Sequence, residues 1–224
     1  MKVLVVGGGG REHAIIKKLK ESKKNPELYA APGNGGIAAD AVCVPVKATD
    51  VDAMVSYAAE NGIDFCVVAP DDPLVLGMVD AMEAKGIRCF GPSKAAAALE
   101  GSKVFAKELM KKYGIPTAAY ETFGDPQKAI EYVKAQNSYP TVIKADGLAL
   151  GKGVIIAEDF AAAEAGIRSI MEDKIFGKSG SQIVIEEFLT GPEVSVLSFT
   201  DSHVVVPMIS SMDHKRAGEG DTGL

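Results

Sequence analysis

The stretch VIKADGLALGKGVII, residues 142–156, sets a loop with three glycines and one lysine between two apolar runs. A further lysine, Lys144, stands near the end of the first run. Short apolar runs bounded by glycine predict two β-strands. A Walker-type phosphate loop requires GxxxxGK[ST] between a strand and a helix, and this segment differs from it in spacing and in context. The stretch therefore predicts a glycine-rich flap between antiparallel strands, which closes over the phosphates of a nucleotide.

A second stretch, IVIEEFLTGPEVS at residues 183–195, complements the flap. Its apolar strand runs into residues 186–189, which would offer backbone groups to an adenine edge and an apolar wall to its face. Glu193 follows a Gly-Pro turn and suits ribose hydroxyls, because a carboxylate accepts two O–H donors. Each acid alone is more typical of a solvated surface, so the prediction depends on the ordered set.

The first hundred residues alternate between apolar strands and amphipathic helices. This alternation predicts a parallel sheet covered by helices on both faces. The predicted strands are 2–6, 27–31, 64–69 and 87–91, and the predicted helices are 11–22, 50–62 and 74–86.

The pattern changes after residue 93 and predicts an α+β arrangement. Helices are predicted over 93–114, with a break near Gly101, over 125–136 and over 159–171. Extended segments are predicted at 115–123, 139–145, 154–158 and 181–189. An antiparallel pair of strands is predicted within 193–210, with its turn at 200–203. Residues 124–190 thus form a small α+β unit before a further sheet begins. The sequence ends just after that antiparallel pair, and we expect the chain to be the N-terminal part of a longer protein.

The glycine cluster VVGGGGREH follows the first strand and opens the first helix. A dinucleotide fingerprint requires G-x-G-x-x-G, but the third glycine would fall on Glu12 or on His13. A nicotinamide cofactor is therefore disfavoured. Backbone N–H groups at a helix N-terminus bind phosphate well, so a smaller phosphorylated ligand stays open, as does a tight turn with no ligand.

Two further loops, APGNGG at 31–36 and APDDPL at 69–74, are predicted to leave the same sheet edge. Ligands of open α/β sheets bind outside the carboxyl ends of the strands. We therefore predict a sugar phosphate there, with its phosphate on Gly9, Gly10 and Arg11 and its polar groups near Asp71 and Asp72. Alternatively, Asp72 only caps the helix that follows.

Composition narrows the function classes. The formal net charge of −6 argues against nucleic acid or an anionic membrane as the main partner. The three cysteines form no CxxC pair and the three histidines are scattered, which disfavours a disulfide framework and a zinc site. No apolar run approaches the roughly 20 residues of a membrane span. These features predict a soluble cytoplasmic protein.

Together, these stretches resemble the phosphoribosylamine–glycine ligases (glycinamide ribonucleotide synthetases), ATP-grasp enzymes of purine biosynthesis. The matching stretches follow one another along the whole chain: KVLVVGGGGREHAI, APGNGG, DDPLVLGMVDA, FGPSKAAAALEGSK, IPTAAY, VIKADGLALGKGV, VIEEFLTGPEVS and DHKRAGEGDTG. The resemblance implies a phosphoribosylamine-binding N-terminal domain at 1–100, a linking helix and strand of an ATP-grasp domain at 101–123, its small flap subdomain at 124–190, and the start of its large subdomain at 191–224.

The resemblance also implies substrates and site residues. ATP, glycine and 5-phosphoribosylamine would be the ligands, with Mg²⁺ or Mn²⁺ as the metal. ATP would contact Lys103, Lys144, Asp146, Gly147, Gly151, Lys152, Gly153, Glu186, Glu187, Phe188, Leu189 and Glu193. Phosphoribosylamine would contact Gly9, Gly10, Arg11, Asn34, Gly35 and Asp71. Asp213, Lys215 and Arg216 would lie near glycine and the transferring phosphoryl group, where cationic side chains suit an acyl phosphate.

The sequence departs from the family's pattern at three places. Gly8 stands where Asn or Ser is frequent, and Asp71 stands where Glu is usual. The metal ligands are expected beyond Leu224, so we expect these 224 residues alone to be inactive. Two alternatives stay open, another ATP-grasp carboxylate–amine ligase and a non-catalytic nucleotide- or sugar-phosphate-binding module. The sequence gives no oligomeric state.

Overall fold

The computed structural model describes residues 1–148, 153–214, 216–220 and 222–223. The chain divides into two units, Met1–Phe188 and Leu189–Leu224. The first unit contains two sheets with their helices, and the second contains one short hairpin. The four-part domain division stated above stays a prediction.

The first sheet is parallel, as predicted, with the order β3-β2-β1-β4-β5. Its strands are β1 (Lys2–Gly7), β2 (Glu27–Pro32), β3 (Val42–Cys43), β4 (Phe65–Val68) and β5 (Arg88–Phe90). The helices that follow them are α1 (Gly10–Lys20), α2 (Val51–Glu60), α3 (Asp71–Leu76) and α4 (Met78–Glu83), with a 3₁₀ turn at Ile37–Ala39. From β1 the chain adds β2 and β3 on one side and then β4 and β5 on the other, so the strand order reverses between β1 and β4. The carboxyl ends of these two strands form the topological switch point, where open α/β sheets bind ligands.

Strand β1 is buried on both faces because its residues alternate between two apolar layers. Val3 and Val5 pack in one layer with Ile16 of α1. Leu4 and Val6 pack in the other layer with residues of α2 and α4. All four strand residues are at most 1% exposed, and burial of each such side chain contributes about 1.5–3 kcal/mol.

The single helix predicted over 74–86 was wrong, because the structure has two helices there. Gly77 has φ +93°, a left-handed conformation that ends α3 and begins α4. Helix α3 starts at Asp71, after Pro70 at its N-cap. Asp72 therefore lies in the first turn and does not cap the helix, which corrects the alternative stated above.

The second sheet is antiparallel with the order β6-β9-β7-β8. Its strands are β6 (Tyr120–Phe123), β7 (Thr141–Ala145), β8 (Val154–Ala157) and β9 (Ile183–Glu187). Two helices precede it in the chain, α5 (Lys94–Gly101) and α6 (Lys103–Tyr113). Between its strands lie the helices α7 (Pro126–Gln136) and α8 (Phe160–Met171) and a 3₁₀ turn at Gly177–Ser181. The predicted break near Gly101 is confirmed, since Ser102 caps α6 by accepting from the N–H of Phe105.

The two faces of this sheet differ in character. Ile143, Ile183 and Ile185 point to one face and pack under α7 and α8. Strand alternation sends Lys144 and Glu186 to the other face, where they meet α6. The sequence prediction of antiparallel strands on both sides of the glycine loop is confirmed by the pairing of β7 with β8. This sheet therefore has an apolar face and a charged face.

The second unit contains the antiparallel pair β10 (Ser198–Thr200) and β11 (Val205–Pro207). The predicted turn between Thr200 and His203 is confirmed, but the strands are much shorter than the predicted 193–210 segment. Within the described residues, no helix has the length and apolar character needed to cross a bilayer.

Candidate functional site

A buried ionic cluster lies between α6 and the charged face of the second sheet. The Lys144 ammonium is 2.8 Å from Oε2 of Glu186, and the Lys107 ammonium is 3.3 Å from its Oε1. We call these three residues the Glu186 cluster. The side chains of Glu186 and Lys107 are 6% and 10% exposed, whereas Lys144 is 28% exposed.

The Glu186 cluster has one more positive charge than negative charge. Two ammonium groups share one carboxylate, and charges interact more strongly where water is partly excluded. Lys144 is the more exposed of the two lysines, so an anion that approaches the sheet would meet it first. This arrangement is suited to bind phosphate oxygens.

The N-terminus of α6 holds the beginning of the glycine loop. Asp146 accepts hydrogen bonds from the Ser102 hydroxyl at 3.1 Å and from the Val104 N–H at 3.1 Å. Lys103 donates from Nζ to the carbonyl oxygen of Gly147 at 2.7 Å. A carboxylate at a helix N-terminus is favourable because it meets the positive end of the helix dipole. The structure thus connects Lys103 and the N-terminus of α6 to the base of the flap.

The far side of the flap is only partly described. Gly153 accepts from the N–H of Ala145 at 2.8 Å and so extends the pairing of β7 with β8. The predicted ligands Gly151 and Lys152 lie outside the described residues, as does Lys215. Nothing in the structure therefore bears on these three.

In the predicted adenine segment, residues 186–189, the side chain of the first residue binds lysines. The carboxylate of Glu186 faces the two lysines. The backbone carbonyl oxygen of Glu186 accepts from the Thr141 hydroxyl at 3.2 Å, and the N–H of Glu187 donates to the carbonyl oxygen of Ala119 at 2.9 Å. Glu187 accepts from the Ala119 N–H at 2.8 Å, and Phe188 is exposed. A cavity of about 400 Å³ borders this segment and is also lined by Tyr132 and Tyr139.

The remaining predicted residues, Leu189, Glu193, Asp213 and Arg216, belong to the second unit. All four lie at exposed positions of that unit. Arg216 lines a concavity of about 690 Å³, together with Met212, His214 and residues 217–220. Their roles at a nucleotide or at glycine stay predictions.

Among the sugar-phosphate residues, Asn34 joins two loops at the carboxyl edge of the first sheet. Its side-chain amide donates to the carbonyl oxygen of Gly8 at 2.8 Å and accepts from the N–H of Ile37 at 2.8 Å. Gly35, next to it, is exposed, with open space where a side chain would be. Asn34 thus fixes the loops, and Gly35 leaves room beside them.

The N-terminus of α1 is partly satisfied by its own side chain. Glu12 is buried, and its Oε2 accepts from the N–H of Gly9, which occupies one predicted phosphate donor. The first-turn N–H groups of Gly10 and Arg11 have no acceptor within the helix, as at every helix start. Oε1 of Glu12 is buried without a hydrogen-bond partner among the described residues.

Arg11 and Asp71 meet at the switch point between β1 and β4. The Arg11 guanidinium lies 4.0 Å from the Asp71 carboxylate, and their side chains are 66% and 44% exposed. Such exposed pairs contribute about 0–1 kcal/mol, so the arginine can leave its partner for a stronger anion at little cost.

Sequence reasoning missed two polar contacts in the first unit. His13 is 3.1 Å from Asp40, which also binds Lys20 at 2.6 Å. The hydrogen bonds to Lys20 and His13 hold the pKa of Asp40 below its usual range.

The other missed residue is Lys107. Its only sequence signal is its place one helical turn after Lys103, on the same face of α6.

We expect Gly8→Ala to lower the free energy of unfolding by about 1–3 kcal/mol, the usual cost of overpacking. A Cβ at Gly8 would lie 2.5 Å from the carbonyl oxygen of Gly33, so one of the two loops would have to move. Urea denaturation measures the change. Gly10→Ala is the matched control, because its Cβ would meet nothing within 4 Å and no loss is expected. Equal losses in both variants would contradict the close approach of the two loops.

No three His, Cys, Asp or Glu side chains of the described residues are grouped so that they could hold a metal ion.

Comparison with known proteins gives matches over the whole chain. The family description "Phosphoribosylglycinamide synthetase, N domain" matches residues 1–100, and "Phosphoribosylglycinamide synthetase, ATP-grasp (A) domain" matches residues 101–224. The phosphoribosylamine–glycine ligase of Clostridium acetobutylicum is 46% identical over 223 residues, which are 100% of this chain and 53% of that protein. The chain spans about half the length of the curated relatives it matches.

The structural comparisons agree with the sequence comparisons. The crystal structure of the phosphoribosylamine–glycine ligase of Thermotoga maritima matches with a TM-score of 0.81 and 35% identity, covering 100% of this chain and 53% of that one. The biotin carboxylase of Campylobacter jejuni, at 18% identity and a TM-score of 0.76, covers 92% of this chain and 49% of its own, and shows a shared fold alone. With both family descriptions matched end to end, the chain belongs to the phosphoribosylglycinamide synthetase family.

Proposed function

We propose that this chain carries the nucleotide-binding and sugar-phosphate-binding parts of an ATP-dependent ligase that joins glycine to 5-phosphoribosylamine. The observation that carries the proposal is the attachment of the base of the glycine loop, Asp146 and Gly147, to the N-terminus of α6 through its own residues and Lys103. Lys144, two residues before Asp146, lies on the same side of the sheet, where Glu186 links it to Lys107 of α6. Curated relatives at 46–47% identity bear the name phosphoribosylamine–glycine ligase, which supports this choice of substrates.

The proposed reaction has two steps. A carboxylate oxygen of glycine attacks the γ-phosphorus of ATP, the bond to ADP breaks, and glycyl phosphate forms. The amine nitrogen of phosphoribosylamine then attacks the acyl carbon, a C–N bond forms, phosphate leaves with the C–O bond pair, and the nitrogen loses a proton. The products are glycinamide ribonucleotide, ADP and phosphate.

The chain's own groups would hold negative charge and exclude water during these steps. Lys103 and Lys144 would bind ATP phosphates, with the loop 146–153 closing over them. Residues 186–189 would line the adenine, and Glu193 would accept from the ribose hydroxyls. Asp213, Lys215 and Arg216 would lie near glycine.

The loops of the first sheet would bind phosphoribosylamine. The exposed guanidinium of Arg11 and the first-turn N–H groups of α1 would take its phosphate, since a helix N-terminus favours anions. Asp71, close to Arg11, would meet a hydroxyl or the amine. The open space beside Gly35 would admit the sugar.

We further propose that a divalent metal, Mg²⁺ or Mn²⁺, takes part, as the ATP-grasp relationship implies. Its ligands are not assigned to the described residues, and no step above is routed through it. Small molecules would be the main partners, and a cytoplasmic location stays a prediction.

The test is an assay of the complete gene product for ADP release and for glycinamide ribonucleotide by mass spectrometry. We expect turnover to require ATP, glycine and phosphoribosylamine together. Turnover with a different acid or amine would instead indicate another ATP-grasp ligase. Thermal shifts with ATP and with ribose 5-phosphate, but no turnover with any acid and amine, would indicate a binding module.

A further inference from the structure

We propose that Lys107 is a positioning residue of the nucleotide site. Its buried ammonium binds one oxygen of Glu186, so that this carboxylate does not hold Lys144 alone and Lys144 stays available to phosphate. The inference rests on the proposed function, because it assumes that Lys144 binds the nucleotide phosphates.

The contacts of Lys107 show that it cannot bind a ligand itself. Its Nζ donates to Oγ1 of Thr117 at 2.6 Å and lies 3.3 Å from Oε1 of Glu186. The same ammonium lies over the ring of Tyr120, 5.2 Å from the centroid. The Tyr120 hydroxyl in turn donates to the carbonyl oxygen of Lys107 at 2.9 Å. An ammonium surrounded in this way, on a side chain 10% exposed, acts through its neighbours.

Glu186 divides its two carboxylate oxygens between the two lysines. Oε1 faces Lys107, and Oε2 accepts from Lys144 at 2.8 Å. An ammonium has three donors, so Lys144 keeps two after this bond, and it is the more exposed of the two lysines. These remaining donors are available to a phosphate.

The charge balance explains why Lys107 matters for an anion. With Lys107 present, the Glu186 cluster has a net charge of +1 beside the site. Without it, Lys144 and Glu186 would form a neutral pair, and a phosphate would have to compete with a nearly buried carboxylate for one ammonium. Helix α6 thus supplies two different lysines, Lys103 at the loop and Lys107 behind the carboxylate.

Lys107→Met tests the proposal, because it removes the charge and keeps most of the length of the side chain. Calorimetry gives the Kd of ADP, and ligand-observed NMR gives the Kd of adenosine. We expect the Kd of ADP to rise by about tenfold, because the phosphate must then compete with Glu186 for the charged hydrogen bonds of Lys144, while that of adenosine stays within about twofold. A merely structural role would change both constants or neither, and either outcome would overturn the proposal.

Two further variants keep the test decisive. Lys107→Arg retains the charge and should restore most of the ADP affinity that Lys107→Met loses. Lys111→Met, one turn further along α6 at an exposed position, should change neither constant. If Lys107→Met does not fold, Thr117→Val loosens Lys107 more gently, and a smaller loss confined to ADP is expected.

Binding of ADP by the unmodified protein distinguishes a failure of the Lys107 proposal from a failure of the proposed function. If the unmodified protein does not bind ADP, the nucleotide site itself is wrong and both proposals fall. If it binds ADP and Lys107→Met does not weaken that binding, only the role of Lys107 is overturned.

Discussion

Glu186→Gln is expected to lower the free energy of unfolding by about 3 kcal/mol, the lower part of the range for breaking a buried ion pair. The variant leaves the ammonium groups of Lys107 and Lys144 facing a neutral amide, where the carboxylate side chain is 6% exposed. The amide oxygen can accept from one lysine but cannot neutralise either. The lower part of the range applies because Lys144 is 28% exposed and therefore partly hydrated. Urea denaturation followed by far-UV circular dichroism measures the loss.

The neighbouring residue provides a matched control for this prediction. Glu187 accepts from the Ala119 N–H, and the amide oxygen of a glutamine can make the same bond. Glu187→Gln should therefore cost less than about 1 kcal/mol. Removing both charges, in Glu186→Gln with Lys107→Met, should destabilise less than Glu186→Gln alone. A loss below 1 kcal/mol for Glu186→Gln would show that the cluster is more hydrated than its exposures indicate.

The first sheet could be predicted from sequence because its strands are apolar throughout. In β1, both alternating sets of residues face an apolar layer, so burial on two faces is visible in the sequence itself. Strand β3 was missed because two residues are too few for a period. The break at Gly77 was missed for another reason. Apolar residues continue at helical spacing across it, and periodicity does not report a left-handed φ.

The candidate site was predictable where it depends on local sequence. Lys103 begins α6 and Lys144 comes just before the glycine loop; Lys103 donates to Gly147 at the base of the flap, and Lys144 donates to Glu186. Lys107 was not predictable, since a lysine on an amphipathic helix usually faces solvent. Its burial depends on α6 meeting the sheet.

The partner of Lys144 depends on strand register, which the sequence does not give. Register pairs Val142 with Glu186, so strand alternation places Glu186 on the same face as Lys144, one diagonal step away. A shift of one residue would have sent Glu186 under α7 and α8. The side chain predicted to line an adenine therefore faces two lysines, and only the paired strands show it.

In the complete gene product, and on the proposed function, Lys144→Met is expected to lower kcat/KM for ATP by about 10²–10³-fold, the usual cost of removing one preorganised donor to a transition-state anion. Lys144 is the partly exposed ammonium of the Glu186 cluster, and phosphoryl transfer depends on neutralising the oxygens of the phosphates. The fold should be affected less than in Glu186→Gln, because Glu186 keeps Lys107 as its partner. Steady-state release of ADP at varied ATP, with glycine and phosphoribosylamine saturating, gives the ratio.

Lys128→Met is the control for this loss. Lys128 is exposed on α7, which packs against the opposite face of the same sheet, so kcat/KM should stay within about twofold of the unmodified protein. Equal losses in both variants would indicate a general effect of lysine removal on this subdomain. Retention of more than about a tenth of kcat/KM in Lys144→Met would place the phosphates away from the Glu186 cluster, since a donor in contact with them contributes more than that.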